Sequence, residues 1–393
     1  MIQTWSVLKE RFFMRAEEYD RNRTFPHVNF DEIVEHNLHT VTLERDYGGR
    51  EYGFRQLAEA LVAIGSGCPS TALCMAMHYY TLGGLRNVLS PEMKEEWFRA
   101  VERSGEFTTS FNQPNIPVGP IGADGGRGMS SITVKSTNDG YVVNGIKPFV
   151  SGCERFYYFP ILAFHEDMSP LTTYPISALL LTKDDQGVTI LDNSWDYSGM
   201  KATKSHSISL QDVFVPKHRL IGREGYGIED TSSLAYWSRL AVSAVYIGAA
   251  QRAVEYVTAL VKRKTDSLSR KPLAQMPGTQ FSYAEMLIQM ETAYNQLFAY
   301  ADFADQCLEK GEYPEDLLKK ALITKAYVSK TVNEVVWNAM QMEGMASFKE
   351  GGVLERLYRD VRAATFHQPS DDLLHEVLAK KSLGVISLRN RWL

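Results

Sequence analysis

The stretch YVVNGIKPFVSG, residues 141–152, decides how the rest of this chain is read. It is dense in β-branched and aromatic residues and follows the turn Asn138-Asp139-Gly140, the signature of a strand and not of a helix. Four further runs share its texture: MSSITVKS (129–136), FYYFPILAF (156–164), ISALLLTK (176–183) and SISLQDVFVP (207–216). Turns such as Asp185-Gln186-Gly187 part them, and no helix-length segment intervenes. A small antiparallel sheet or barrel follows from that spacing.

Outward from this block the period changes on both sides. Phe54, Leu57, Ala58, Leu61 and Val62 fall at i, i+3, i+4, i+7 and i+8, the stripe of a helix that buries one face. TALCMAMHYYTLGGL (71–85) is apolar nearly all round and reads as a central helix, set off from the first helices by the turn Asp46-Tyr47-Gly48-Gly49. After residue 230 the helical period returns. LAVSAVYIGAAQRAVEYVTALVKRK (240–264) keeps small and large apolar residues on one face and basic residues in its last turn, where they suit the helix dipole. Pro272 to Gly278 reads as a loop, followed by three more helical segments, up to ALITKAYVSKTVNEVVWNAMQ (321–341) and the C-terminal run. The predicted fold class is α+β, mostly α: an N-terminal helical domain (1–105), a middle antiparallel β domain (106–224) and a C-terminal helical bundle (225–393).

Composition removes several function classes. With 42 basic against 47 acidic side chains and a net charge of −5, no basic excess is present to neutralise a phosphate backbone, which disfavours nucleic acid as a partner. Cys68, Cys74, Cys153 and Cys307 are dispersed without CxxC or metal-ligand spacing, a pattern suited to a reducing compartment. The N-terminal MIQTWSVLKERFFMRAEEYD has no apolar core of signal-peptide length, and no run approaches the roughly 20 apolar residues of a bilayer span. A cytoplasmic protein without membrane contact is expected. His36 and His39 form an HxxH pair with no third ligand nearby, so no metal is expected. GREGYG (222–227) has the spacing G-x-x-G-x-G outside any βαβ unit and reads as a turn before the next helix.

Four strings carry a resemblance. ERDYGG (44–49) is similar to the "PEEYGG" of the acyl-CoA dehydrogenase superfamily, and YVVNGIKPFVSG to its "Y.LNG.K.WITN" hairpin. GMKATKSHSISLQDVFVP (199–216) resembles "G.R.S.T..V.F.DV.VP", and SRLAVSAVYIGAAQRAVEYVTALVKRK (238–264) resembles the first helix of the family's C-terminal domain. The likeness runs in order and spacing over essentially the whole chain. It implies a bound FAD, a homodimer or homotetramer, and oxidation of a small-molecule acyl thioester by removal of its α-proton and β-hydride. An external flavin reductase or electron-transfer protein would be the redox partner.

Residue by residue, the resemblance puts Phe149 against the isoalloxazine ring and the Ser151 hydroxyl at its N5. Strand alternation by itself sets Phe149 and Ser151 on one face, and equally allows a core Phe and a turn Ser. FTTSFNQPN (107–115) falls where the family has "TEPxxGSD" but lacks the acidic residue and the Gly-Ser-Asp, so Ser110 is carried over, with Gln113 or Asn112 as substitutes. Arg263 stands where an arginine reaches a neighbouring subunit's FAD pyrophosphate, although the usual Thr-Phe-Gly sequel is absent. Gln341 and Gly344 match a "QxxGGxG" turn near the partner's adenosine, with Met345 in place of the second glycine. Ser370 stands where a threonine binds the diphosphate, a role compatible with a helix N-cap.

The family's catalytic glutamate is missing. Alignment on Arg359-Asp360 puts Gln368 at its position in FHQPS, and the other seat known in the family, before Arg239, holds Ser238. Ser238 and Arg239 remain as substrate-lining residues, as in the family's thioester channel. An amide accepts no proton near neutral pH, so Gln368 is not the base. His367, one residue back, has a suitable ordinary pKa of about 6.5, whereas Asp371 and Asp372 read as dipole-stabilising caps. Three functions stay open: an acyl-thioester oxidoreductase with a non-standard base, a flavin monooxygenase of the same fold, and a non-catalytic flavin or acyl-CoA binding protein.

Overall fold

A computed structural model describes residues 2–111, 132–165, 168 and 175–385. Helices α1 (Ile2–Asn22), α2 (His27–Glu35), α3 (Phe54–Gly67), α4 (Pro69–Leu85) and α5 (Pro91–Ser104) come first. Pro69 starts α4, which is buried along its entire length, as its all-round apolar sequence requires. Ser90 caps α5 by accepting the Met93 N–H at 3.2 Å, and Gly105 ends it in the left-handed region at φ 64.

Among the described residues seven strands follow: β1 (Ile132–Ser136), β2 (Gly140–Val150), β3 (Tyr158–His165), β4 (Ile176–Thr182), β5 (Val188–Leu191), β6 (His206–Pro216) and β7 (Leu220–Ile221). They form one sheet in the order β5-β6-β2-β1-β3-β4-β7, with β5 and β7 at its edges. The expectation of an antiparallel sheet is corrected at one place: β1 and β3 run parallel, through Thr133↔Phe164 and Val134↔His165. The cause is that β6 occupies the far edge of β2, so β3 finds its partner in β1 and not in its sequence neighbour β2.

GREGYG forms the turn that leads into α6 (Gly227–Asp230). Then come α7 (Leu234–Arg263), α8 (Pro277–Lys310), α9 (Glu315–Glu343), α10 (Val353–Val361) and α11 (Asp371–Ser382). The loop expected from Pro272 to Gly278 is shorter, because Pro277 is already in the first turn of α8.

Helix α7 is the beam of the molecule, and two glycines set its position. A Cβ on Gly65 of α3 would lie 2.4 Å from the Val245 carbonyl oxygen, and one on Gly248 would lie 2.3 Å from that of Val62. The two helix backbones therefore touch, and any side chain at either position would push them apart. This crossing fixes the height of every functional residue on α7.

Candidate active site

After α10 the chain makes a short 3-10 turn, Arg362–Thr365, and passes through His367, Gln368 and Pro369 into α11; the Gln368-Pro369 peptide is cis. Side chains of α9 hold this turn. The Ser329 hydroxyl donates to the Ala364 carbonyl at 3.1 Å, and the Asn333 amide to the Val361 carbonyl at 3.2 Å. Lys325, fully buried, pairs with Asp371 at 2.9 Å.

The half-buried His367 ring sits with Nε2 2.7 Å from the hydroxyl of Tyr246, a fully buried residue of α7. Among the described residues that hydroxyl has no other partner, and a buried phenol must place its proton. Tyr246 therefore donates to Nε2, and the ring's own proton lies on Nδ1. Burial pushes the His367 pKa down to about 4, with the Lys325 charge adding to the effect, so the imidazole is neutral at pH 7. Burial likewise raises the Tyr246 pKa well above its ordinary range, and the phenol stays protonated.

Gln368, next in the chain, is exposed. Ser370 does occupy the N-cap position of α11, but its hydroxyl donates to the Asp372 carboxylate at 2.7 Å and does not cap the backbone. A charged acceptor two residues away outcompetes the dipolar role expected from sequence. Asp371 and Asp372 both lie in the first turn of α11, as expected for dipole-stabilising residues, and Asp371 has the further task of neutralising Lys325.

On α7, Arg239, Ser243 and Tyr246 fall at i, i+4 and i+7 and share one face. Ser238 turns its hydroxyl back onto the Ala235 carbonyl at 3.2 Å. Arg239 does the same with one terminal nitrogen, at 3.2 Å, while its Nε is sealed from solvent and has no hydrogen-bond partner. The charge of Arg239 is felt at Lys325, where it and burial push the ammonium pKa down while Asp371 opposes them. Sequence reasoning missed both Tyr246 and Lys325. Tyr246 was findable from the α7 spacing. Lys325 interrupts the buried stripe Leu317, Ala321, Val328, Val332 of α9, and a lysine at a core position is itself a signal.

The β side of the site is separate. Phe149 has φ 59 and lies at a register shift between β2 and β6, which turns its ring outward to half exposure. It meets Trp195 edge-on at 6.4 Å and Tyr197 at 6.0 Å, and these two lie 4.3 Å apart. Neither aromatic carries a sequence signal, because both sit in an irregular loop. Burial does alternate through Phe149, Val150 and Ser151 as a strand predicts, but β2 ends at Val150 and Ser151 opens a turn. The Ser151 hydroxyl shares a hydrogen bond with Ser205 at 2.9 Å, which is joined to Thr203 at 2.7 Å.

Ser110 is buried beside the Tyr80 hydroxyl of α4. Its segment is pinned by His78, whose Nδ1 accepts the Thr108 N–H at 3.1 Å while Nε2 donates to the His39 carbonyl at 2.7 Å. That arrangement leaves no acceptor for a second imidazole proton, and burial lowers the His78 pKa to about 3. Asn112 and Gln113 lie outside the described residues. His39 is buried while His36 is exposed, so the HxxH pair does not converge, and no His, Cys, Asp and Glu cluster able to hold a metal occurs among the described residues. No helix among them is long and apolar enough to cross a membrane.

Arg263, Gln341 and Gly344 gather at one exposed end of the bundle. Lys264 donates to the Glu343 carbonyl at 2.7 Å and Tyr256 to the Glu343 carboxylate at 2.9 Å, tying the C-terminal ends of α7 and α9 together. Gly344 has φ 79, a conformation that glycine adopts without strain. Arg263 follows Arg239 by 24 residues on α7 (263 − 239), about 36 Å at 1.5 Å per residue. The two arginines of one chain therefore stand near opposite ends of α7.

Family models for the N-terminal and C-terminal domains of acyl-CoA dehydrogenase match residues 5–104 and 240–371. The chain is 25% identical over 367 residues to an acryloyl-CoA reductase (NADH) of Anaerotignum propionicum, covering 93% of this chain and 89% of that protein. It is 22% identical over 375 residues to the bovine (Bos taurus) mitochondrial short-chain specific acyl-CoA dehydrogenase, covering 94% and 86%. Its fold matches the crystal structure of the dibenzothiophene monooxygenase TdsC of Paenibacillus sp. A11-2 with a TM-score of 0.85 at 21% identity over 99% of both chains. FMN-bound TdsC superposes equally well, with a TM-score of 0.86. Helices, a seven-stranded sheet and a helical bundle follow one another in the order this family requires, and both flanking domains match its models: the chain belongs to the acyl-CoA dehydrogenase superfamily.

Proposed function

We propose that this chain is a flavin-dependent oxidoreductase of the monooxygenase type. The observation that carries the reading is the Tyr246–His367 pair. Abstraction of an α-proton needs a free basic group, and here the basic nitrogen of His367 is occupied by the Tyr246 proton. What His367 presents is an N–H donor at Nδ1, which suits hydrogen bonding or proton donation to an oxygen atom and not carbanion formation. Asp371, four residues on from His367, is held by Lys325. Flavin, when bound, supplies the redox chemistry.

In the same reading Phe149 backs the flavin ring, Ser151 and Ser110 meet its polar edge, and Ser238 and Arg239 line the substrate side. Arg263, Gln341, Gly344 and Ser370 serve the cofactor of a neighbouring subunit in a dimer or tetramer. The outward ring of Phe149, the hydroxyl chain at Ser151 and the span of about 36 Å between the two arginines support this division. FAD is the proposed cofactor. FMN is a second reading, favoured by the exposed Met345 side chain at the turn where an adenosine would approach. Mass spectrometry of the released flavin separates the two.

A second reading of the reaction, oxidation or reduction of an acyl thioester, is favoured by the names of the curated relatives. The deciding experiment compares anaerobic bleaching of the flavin by a panel of acyl-CoA thioesters with aerobic turnover driven by a flavin reductase and labelled dioxygen. Labelled oxygen in the product and no bleaching by thioesters is the expected result. Rapid anaerobic bleaching by any saturated acyl-CoA would overturn the monooxygenase reading.

A further inference from the structure

Arg239 has no ion-pair partner among the described residues, and its charge is felt at Lys325, which is already paired with Asp371, while His367 is neutral. Burial pushes the Arg239 pKa down, and the phenols of Tyr300 and Tyr236 oppose it. Tyr300 donates its own proton to the Tyr236 carbonyl at 2.9 Å, so it remains a neutral neighbour. A guanidinium does not shed its proton, and a sealed Nε without an acceptor is costly in a low-dielectric site. The self-directed bond from Arg239 to Ala235 leaves most of its donor fork unused.

We propose that Arg239 receives an anionic oxygen group of the substrate, so that the site takes a small organic acid of the carboxylate or sulfonate class and not a neutral molecule. The proposal rests on the reading of the Arg239–Tyr246–His367 face as the substrate site, and it is independent of which reaction follows. One bound oxyanion gives the Arg239 guanidinium the charged acceptor it lacks, while His367 offers its Nδ1–H to the part of the substrate that reacts.

The test is calorimetric and uses flavin-loaded protein. Benzoate is compared with benzamide, and methanesulfonate with dimethyl sulfone, on wild type, Arg239→Gln and Arg239→Lys. In wild type the acids are expected to bind roughly tenfold to a hundredfold tighter than their neutral counterparts. Arg239→Gln should erase that preference and Arg239→Lys should keep part of it. Preference for one acid only identifies the anion class. Acids that bind no better than the neutral probes, or a preference that survives Arg239→Gln, overturn the proposal. If Arg239→Gln does not fold, the wild-type pairs and Arg239→Lys still decide. Acid preference without oxygen incorporation removes the monooxygenase reading alone, and oxygen incorporation without acid preference removes this inference alone.

Discussion

The turn at His367 and the exposed end at Arg263 are built on opposite plans. Around His367 the partners come from within the chain: Tyr246 from α7, Lys325, Ser329 and Asn333 from α9, Asp371 from α11. At the far end Arg263, Gln341 and Gly344 face outward, and only the helix ends beneath them are bonded together. One region fixes a proton and a charge before any ligand arrives. The other leaves its polar groups open to solvent. Chemistry that depends on where a proton sits needs a rigid buried shell, whereas grip on a charged cofactor is served by side chains that stay hydrated until binding.

The sharpest test of that contrast, and the largest expected effect, is His367→Ala. Loss of a positioned proton donor should lower turnover by about 10²–10⁴-fold while flavin content is unchanged. Steady-state oxygen consumption checks this, and full activity would move the catalytic role elsewhere. Next is Asp371→Ala, which leaves Lys325 buried without its counter-ion. A loss of roughly 1–3 kcal/mol is expected in urea unfolding near neutral pH, because the buried Lys325 ammonium is left without its half-exposed partner. Arg263→Ala should weaken flavin retention by roughly tenfold to a hundredfold with the unfolding curve unchanged, as calorimetry would report. An unchanged affinity would assign Arg263 to the solvated surface.

The pH dependence sharpens the same comparison. The folded-state pKa of His367 is depressed from 6.5 to about 4, so the native protein binds fewer protons here than the unfolded chain. Its contribution to stability is complete above pH 6.5 and is lost as pH falls towards 4. Buried Asp360, which accepts the Met200 N–H at 2.6 Å and whose pKa burial raises to about 6, acts with the opposite sign. The difference in melting temperature between wild type and His367→Gln from pH 7 to pH 5 isolates the histidine. That difference should shrink as pH falls. The smallest effect is expected at exposed Gln368: Gln368→Ala should change turnover by less than about threefold, in line with surface substitutions. A large loss would mean that Gln368 orients the substrate, and that its exposure ends on binding.

Much of the fold was legible because period and turn chemistry are local. The alternation around residues 141–152, the stripe of α3 and the all-round apolar α4 each turned up in the predicted element. The parallel pairing of β1 with β3 was not legible, since it depends on β6, far along the chain, taking the other edge of β2. The left-handed Phe149 and the partner choice of Ser370 escaped for related reasons: a bulge and a competing carboxylate override what strand and cap patterns imply.

The sequence alone put Gln368 and Ser238 where the resemblance places the family's glutamates, and His367 between two helical segments, the later α10 and α11. It also determined that α7 carries Gly248 among small residues, as a close helix crossing requires. The tertiary structure alone decided that Tyr246, 121 residues from His367, takes up the basic nitrogen, and that Lys325, 46 residues from Asp371, claims that carboxylate. The reason is physical: a residue's type is covalent and local, but its protonation state and its free hydrogen-bonding capacity are set by burial and by partners brought from elsewhere in the chain.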